Sequence, residues 1–169
     1  MNIQLYLPVW RSISFTVAPR LGPPGKGSGV RVALVGDERP AVRASLEAEE
    51  EVELIGPPGA FVVDGDGEIP QLAAALRAFE SQFDEERVDR VVLADSSDLS
   101  LAAVLVATKM LIPVGALVDR GSDQGEGGPF GMNARLIELL ADAALGDDGA
   151  AVAAWLREPQ QPSQAAREH

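Results

Sequence analysis

The turn Asp95-Ser96-Ser97-Asp98 places two carboxylates and two hydroxyls between an apolar run typical of a strand and one typical of a helix. A helix N-terminus at such a point attracts phosphate through free backbone N–H groups, commonly with glycine to allow close approach. Here Ser97 or Asp98 can cap the helix and use those N–H groups internally. The two carboxylates would also repel a phosphate, by about 4 kcal/mol at about 4 Å near a protein surface. The pattern therefore predicts a self-capped structural turn.

A second polar turn follows the apolar run Val30 to Gly36, which is typical of a strand buried on both faces of a parallel sheet. Ligands of such sheets bind at the carboxyl ends of the strands. The candidate ligand-binding residues are therefore Gly36, Arg39, Asp95, Ser96, Ser97 and Asp98. Asp37 and Glu38 could join the acids of the other turn around a divalent cation. Capping of loop ends is the favoured interpretation, and we predict no catalytic residue, metal or cofactor.

Composition excludes several classes of function. The formal net charge of -12, with a pI of about 4.4, disfavours nucleic acid and anionic membrane as partners. Cysteine is absent and the one histidine is His169, so thiol chemistry and a histidine base inside the fold are not expected. No apolar run approaches the ~20 residues that span a bilayer, and the N-terminus lacks the features of a signal peptide. We expect a cytoplasmic protein.

The hydrophobic pattern alternates between strands and helices, which predicts an α/β fold: one Rossmann-like, three-layer domain with a mainly parallel sheet. Strands are predicted at 30–36, 52–56, 60–67, 88–94 and 114–118, and helices from Pro40 and over 68–86, 101–111, 133–145 and 150–157. The inward positions of two helices are predicted as Ile69, Leu72, Leu76, Phe79 and Phe83, and as Leu136, Leu139, Leu140 and Ala143.

The chain is predicted to contain one domain, residues 30–158. Residues 1–29 are expected to form an extension that ends in the Pro/Gly-rich linker Pro19 to Gly29, and residues 159–169 a disordered tail. The linker superficially matches a phosphate-binding P-loop. It lacks the required serine or threonine, since Gly27 follows Lys26, and it precedes a strand.

Two motifs in the second half suggest a family. Ile112-Pro113-Val114-Gly115 follows an apolar helix, and Asn133-Ala134-Arg135-Leu136-Ile137 precedes Leu-Ala-Asp. Together with the order of segments over residues 66–158, they resemble the N-terminal domain of non-hydrolysing UDP-N-acetylglucosamine 2-epimerases. Arg39 and Pro40 look like remnants of the family's Gly-Thr-Arg-Pro-Glu turn. The resemblance implies a Rossmann-like domain of the glycosyltransferase-B arrangement, whose second domain supplies most of the nucleotide pocket.

The family's acidic motifs are missing at the matching positions. Its His-Gly-Asp turn falls on Ala94-Asp95-Ser96, its His-Val-Glu on Ala116-Leu117-Val118, and its Pro-Glu-Glu on Pro129-Phe130-Gly131. Proton transfer at a sugar carbon needs positioned carboxylates or comparable bases, and valine and glycine cannot serve. The resemblance therefore implies a relative that has lost the chemistry.

Three hypotheses follow. We predict a non-catalytic binding or protein-interaction module, with a homodimer and a UDP-sugar among its candidate partners. The first alternative is one half of a split UDP-sugar epimerase, completed by a nucleotide-binding partner chain. The second is a receiver-like regulatory domain, because residues 30–56 look like the opening of a response regulator. For that family, however, Asp64 comes too early and Asp95 too late to be the phosphoacceptor, and Lys109 falls in a helix.

Overall fold

The computed structural model of the chain describes residues 29–36, 39–58, 67–117, 129–146 and 149–159. In these residues strands and helices alternate: β1 (Val30–Val35), α1 (Pro40–Glu47), β2 (Val52–Ile55), α2 (Glu68–Glu85), β3 (Arg90–Leu93), α3 (Asp98–Lys109), β4 (Val114–Leu117), α4 (Pro129–Leu140), β5 (Ala143–Leu145) and α5 (Gly149–Arg157). The described strands form one parallel sheet in the order β2-β1-β3-β4-β5. The predicted α/β, Rossmann-like architecture is confirmed.

The domain has three layers because alternate residues of each central strand face opposite sides of the sheet. On β3, Val92 contacts the apolar cluster of α1 and α5, while Val91 and Leu93 contact the cluster of α2, α3 and α4. In the larger cluster the rings of Phe79 and Phe83 lie 5.4 Å apart. Helix α3 lies between α2 and α4 and is buried on most sides, which explains its apolar composition.

The predicted helix 133–145 is wrong in its second half. Helix α4 ends at Leu140, and Ala143–Leu145 form β5, which pairs with β4. Asp142 makes the transition, since its backbone N–H donates to the Val114 carbonyl and its carboxylate accepts from the Val114 N–H. The alanine-rich segment has high helix propensity, but pairing with a buried strand prevails over propensity here.

The predicted inward faces are partly wrong as well. On α2, Phe79 and Phe83 are buried as predicted, but Ile69 in the first turn is exposed. On α4 the buried position is Ile137, whereas Leu136 and Leu139 are exposed. The predicted strand at 60–67 lies outside the described residues except for Gly67, which precedes α2.

Candidate functional site

The candidate site lies where the direction of the sheet order reverses. From β1 the chain continues to β2 on one side, and later to β3 on the other side of β1. Val35 is paired with Leu93, so the turns after β1 and β3 emerge next to each other. In open parallel sheets such a switch point leaves a crevice at the carboxyl ends of the strands, where ligands bind.

The carboxylate of Asp95 lies at the N-terminus of α3 and accepts hydrogen bonds there. One oxygen, Oδ1, accepts from the backbone N–H of Ser97 at 3.0 Å and from the hydroxyl of Ser100 at 2.6 Å. Ser97 is the N-cap, and its hydroxyl accepts from the Ser100 N–H at 3.3 Å. The predicted capping of this turn is confirmed. Two of the N–H groups that a phosphate would need, those of Ser97 and Ser100, are thus bonded to groups of the chain itself.

Gly36 lies against that carboxylate. Its φ of +107° is a conformation that residues with a side chain rarely adopt. A Cβ built at this position would lie 2.7 Å from Cγ of Asp95 and 2.8 to 2.9 Å from both carboxylate oxygens. The glycine therefore provides space for an internal anion, which is the close approach that phosphate sites usually reserve for a ligand.

The remaining candidates lie around this centre. Asp98 is exposed and turns towards α4, where its Oδ1 accepts from the side-chain amide of the buried Asn133 at 2.8 Å. Arg39 is half-buried at the N-cap of α1, where its carbonyl accepts from the Arg43 N–H. Ser96 is half-buried between Asp95 and the cap. The structure thus brings Gly36 and Asp95 together, joined to Ser97, and directs Asp98 elsewhere.

A divalent-cation site at these two turns, the alternative to capping, has little support in the described part of the chain. Asp37 and Glu38 lie outside it. Within it, no group of three or more carboxylate or imidazole side chains could hold a metal ion.

Sequence reasoning missed Ser100 and Asn133, which are both buried and polar. Ser100 lies three residues after the N-cap, where a hydroxyl can reach back to the turn, so its spacing was a usable signal. Asn133 belongs to the Asn-Ala-Arg-Leu-Ile motif, but its partner on α3 depends on helix packing. No local sequence pattern predicts such a contact.

Sequence reasoning also missed Arg90, the first residue of β3, which lies at the amino ends of the strands. It is only 3% exposed, and its guanidinium donates to the carbonyls of Trp155, at 2.7 Å, and Glu158. It also lies 4.8 Å from the centre of the Trp155 ring. Burial lowers the pKa of Arg90, while the charges of Glu158 and Asp89 oppose that shift. The contacts fasten the end of α5 to the start of β3.

Comparison with known proteins rests on structure, since neither a family model nor a curated protein matches the sequence. A UDP-GlcNAc 2-epimerase from Methanocaldococcus jannaschii superposes with a TM-score of 0.60 at 17% identity, covering 77% of this chain and 42% of that one. The Neisseria meningitidis UDP-GlcNAc 2-epimerase bound to UDP-GlcNAc gives 0.58 at 16%, covering 69% and 40%. S. aureus MnaA, in a co-structure with UDP, gives 0.56 at 18%, covering 77% and 42%.

The chain shares its fold with UDP-GlcNAc 2-epimerases. The resemblance seen in the sequence is thus confirmed at the level of the fold, and the chain spans less than half the length of these proteins. The positions matched to the epimerase motifs follow the sheet's carboxyl edge. Ala94-Asp95-Ser96 follow β3, Ala116 and Leu117 end β4, and Gly131 lies in the first turn of α4. Val118 lies outside the described residues.

No helix among the described residues is long and apolar enough to cross a membrane.

Proposed function

We propose that this domain is a non-catalytic relative of UDP-GlcNAc 2-epimerases that acts as a binding or protein-interaction module. The observation that carries the proposal is the Asp95 carboxylate, which lies over Gly36 and accepts from Ser97 and Ser100. It uses two donors at the start of α3 and brings negative charge to the place where a diphosphate would approach. A nucleotide diphosphate would have to displace this carboxylate and overcome its repulsion.

The chemistry of the edge supports the non-catalytic half of the proposal. A base for proton transfer must reach the reacting carbon and be free to change protonation. At the positions matched to the family's acids the sequence has Ser96, Val118 and Gly131, and the neighbouring Asp95 is engaged with Ser97 and Ser100. None of the three can remove a proton from a sugar carbon at neutral pH.

The test is a titration of the isotope-labelled chain with UDP and with UDP-GlcNAc, following backbone amide shifts. We expect no shifts at Gly36 or Ser97 at millimolar ligand. The variant Asp95→Ala removes the internal anion, and we expect weak phosphate-dependent shifts at the start of α3 to appear in it. Ser81→Ala, an exposed change on α2, is the control. Saturable shifts in the unaltered chain, centred on Gly36 and Ser97, would contradict the proposal.

A second candidate is one half of a two-chain UDP-sugar epimerase. It is favoured by the coverage, since the match spans about 40% of the length of the solved epimerases, three of which contain UDP or UDP-GlcNAc. In that case a partner chain would supply the nucleotide pocket. Isolation of the full chain from its native source with any associated protein, followed by an assay for UDP-GlcNAc epimerisation, tests it. Activity in the complex and not in the isolated chain would favour this second candidate over the first.

A further inference from the structure

Helix α4 carries an apolar stripe that no described residue covers. Its members are Met132, Leu136 and Leu139, which are 67%, 37% and 77% exposed. Their spacing of four and three places them on one face of the helix. Single exposed leucines are ordinary, but an aligned group of three large side chains marks a contact surface. We call this group the α4 stripe.

A cavity adjoins this helix at the edge of the described sheet. It has a volume of about 280 Å³ and is lined by Ala116, Glu138, Ala141, Ala143 and Ala144, from β4, β5 and the end of α4. Its walls are therefore mostly methyl groups, with one carboxylate. Glu138 and Ala141 lie roughly 140° to 160° around α4 from Leu136, so the cavity and the stripe are separate surfaces. The stripe belongs to a strongly acidic domain, and it is therefore suited to an apolar segment that also carries positive charge.

The chain itself contains such a segment. Residues 1–29 include Arg11, Arg20 and Lys26 but none of the chain's 26 acidic residues. The remainder of the chain therefore holds all 26 acids and 11 of the 14 basic residues. Within the first 20 residues, Ile13, Phe15 and Val17 alternate with serine and threonine, a pattern that gives one apolar face. The segment is thus opposite in charge to the domain and apolar on one side.

The geometry allows the contact. Gly29 precedes β1, so the segment joins the domain at the amino edge of the sheet. Leu139 is near the same edge, because α4 ends at Leu140 and Asp142 bonds to the start of β4. Strand β4 is two strands from β1, and with the helix layer the separation is on the order of 15 Å. The linker Pro19 to Gly29 can span roughly 35 Å when extended.

We propose that residues 3–17 of this chain pack on the α4 stripe, and that Arg11, together with Arg20 and Lys26 of the linker, is attracted to the acidic domain. This contact is separate from the switch-point crevice, so the proposal does not depend on the function of that crevice. The α4 stripe would then be an intramolecular interface, and another protein could bind the stripe only by displacing residues 3–17.

The absence of cysteine makes a direct test possible in the full chain. Ser14→Cys provides one site for a nitroxide label, and the label broadens nearby amide signals. We expect the signals of Met132, Leu136 and Leu139 to lose most of their intensity. The signals of Val42 and Val152, in the cluster on the other face of the sheet, should keep theirs. Unchanged intensities along α4 would overturn the proposal.

Two variants and one mixing experiment sharpen the test. Leu139→Lys should restore the α4 signals, while Ile69→Lys, which changes an equally exposed residue on α2, should leave them broadened. A mixture of isotope-labelled chains without nitroxide and nitroxide-labelled chains without isotope separates contacts within a chain from contacts between chains. Broadening in the mixture would show that a second copy covers the stripe, and would overturn the proposal as stated.

Discussion

Two helix ends in this domain are stabilised by buried or half-buried charges of opposite sign. At the carboxyl edge of the sheet, the carboxylate of Asp95 accepts from the first turn of α3. At the amino edge, the guanidinium of Arg90 donates to carbonyls at the end of α5. In both cases the charge complements the helix dipole and satisfies backbone groups that have no partner within the helix.

The two ends differ in where they lie and therefore in what they imply. Arg90 is at the edge where parallel sheets of this kind do not bind ligands, so its role is structural. Asp95 is at the switch point, the usual ligand position of the fold. A charged side chain bonded at a helix end thus stabilises the fold at the amino edge and, in our proposal, blocks a binding site at the carboxyl edge.

The largest effect is expected from Arg90→Ala. The change removes the donor of the Glu158 carbonyl and one of the two donors of the Trp155 carbonyl, which keeps the Glu158 N–H, and it removes the contact with the indole ring. We expect the free energy of unfolding to fall by about 3 to 4 kcal/mol, measured by urea denaturation. Arg77→Ala, on the exposed face of α2, should cost little. Similar losses for both variants would contradict the structural role of Arg90.

At the other edge, Gly36→Ala should cost about 2 kcal/mol, because its φ is positive and the new methyl group would meet the Asp95 carboxylate. Gly56→Ala is the matched control, since a Cβ there would have no neighbour within 4 Å. The double variant Gly36→Ala, Asp95→Ala relieves the steric part, so its loss should be smaller than the sum of the single losses. Additive losses would show that the two residues do not interact.

Ser100→Ala should have a smaller effect, about 1 kcal/mol, because it removes one hydrogen bond to Asp95 and leaves the bond from the Ser97 N–H. The hydroxyl is fully buried, so water cannot replace it. Denaturant unfolding of this variant beside Ser81→Ala measures the difference. If Ser100→Ala proved as stable as the control, Asp95 would not be held in the way described.

Arg157→Ala should have the smallest effect, below about 1 kcal/mol. Arg157 pairs with Glu49 at 2.6 Å, but its side chain is largely exposed. It belongs to the same helix, α5, whose end Arg90 holds, so the two variants compare an exposed and a buried arginine directly. Thermal or urea unfolding in low and high salt would check this, and a loss as large as that of Arg90→Ala would contradict the comparison.

The sequence predicted the elements whose pattern is local. The buried runs of β1, β3 and β4 and the cap at Ser97 could be identified because each depends on neighbouring residues. Arg90 could not, since an arginine at the start of a strand is ordinarily exposed and its partners lie 65 and 68 positions away. The end of α4 was missed for the same reason, because β5 exists only by pairing with β4.

In the candidate site, too, the local feature could be predicted from the sequence and the non-local contact could not. That the turn after β3 would cap α3 followed from its composition. That Asp95 would lie over Gly36 did not, because the contact joins two turns almost 60 positions apart, brought together by the pairing of β1 with β3. The exposed leucines of α4 show a further limit, since an apolar helix face predicts burial without specifying which part of the chain buries it.

The contact between α1 and α5 has a consequence for synthesis. Arg157 of α5 binds Glu49, which follows the end of α1 and lies 108 positions earlier. The two helices share the apolar cluster that contains Val42, Leu46 and Trp155. During synthesis Val42 and Leu46 leave the ribosome early, whereas α5, which buries them, is translated only after nearly the whole domain. At 5–20 residues per second this exposure lasts on the order of 10 s, and during that time a chaperone could shield the first helix.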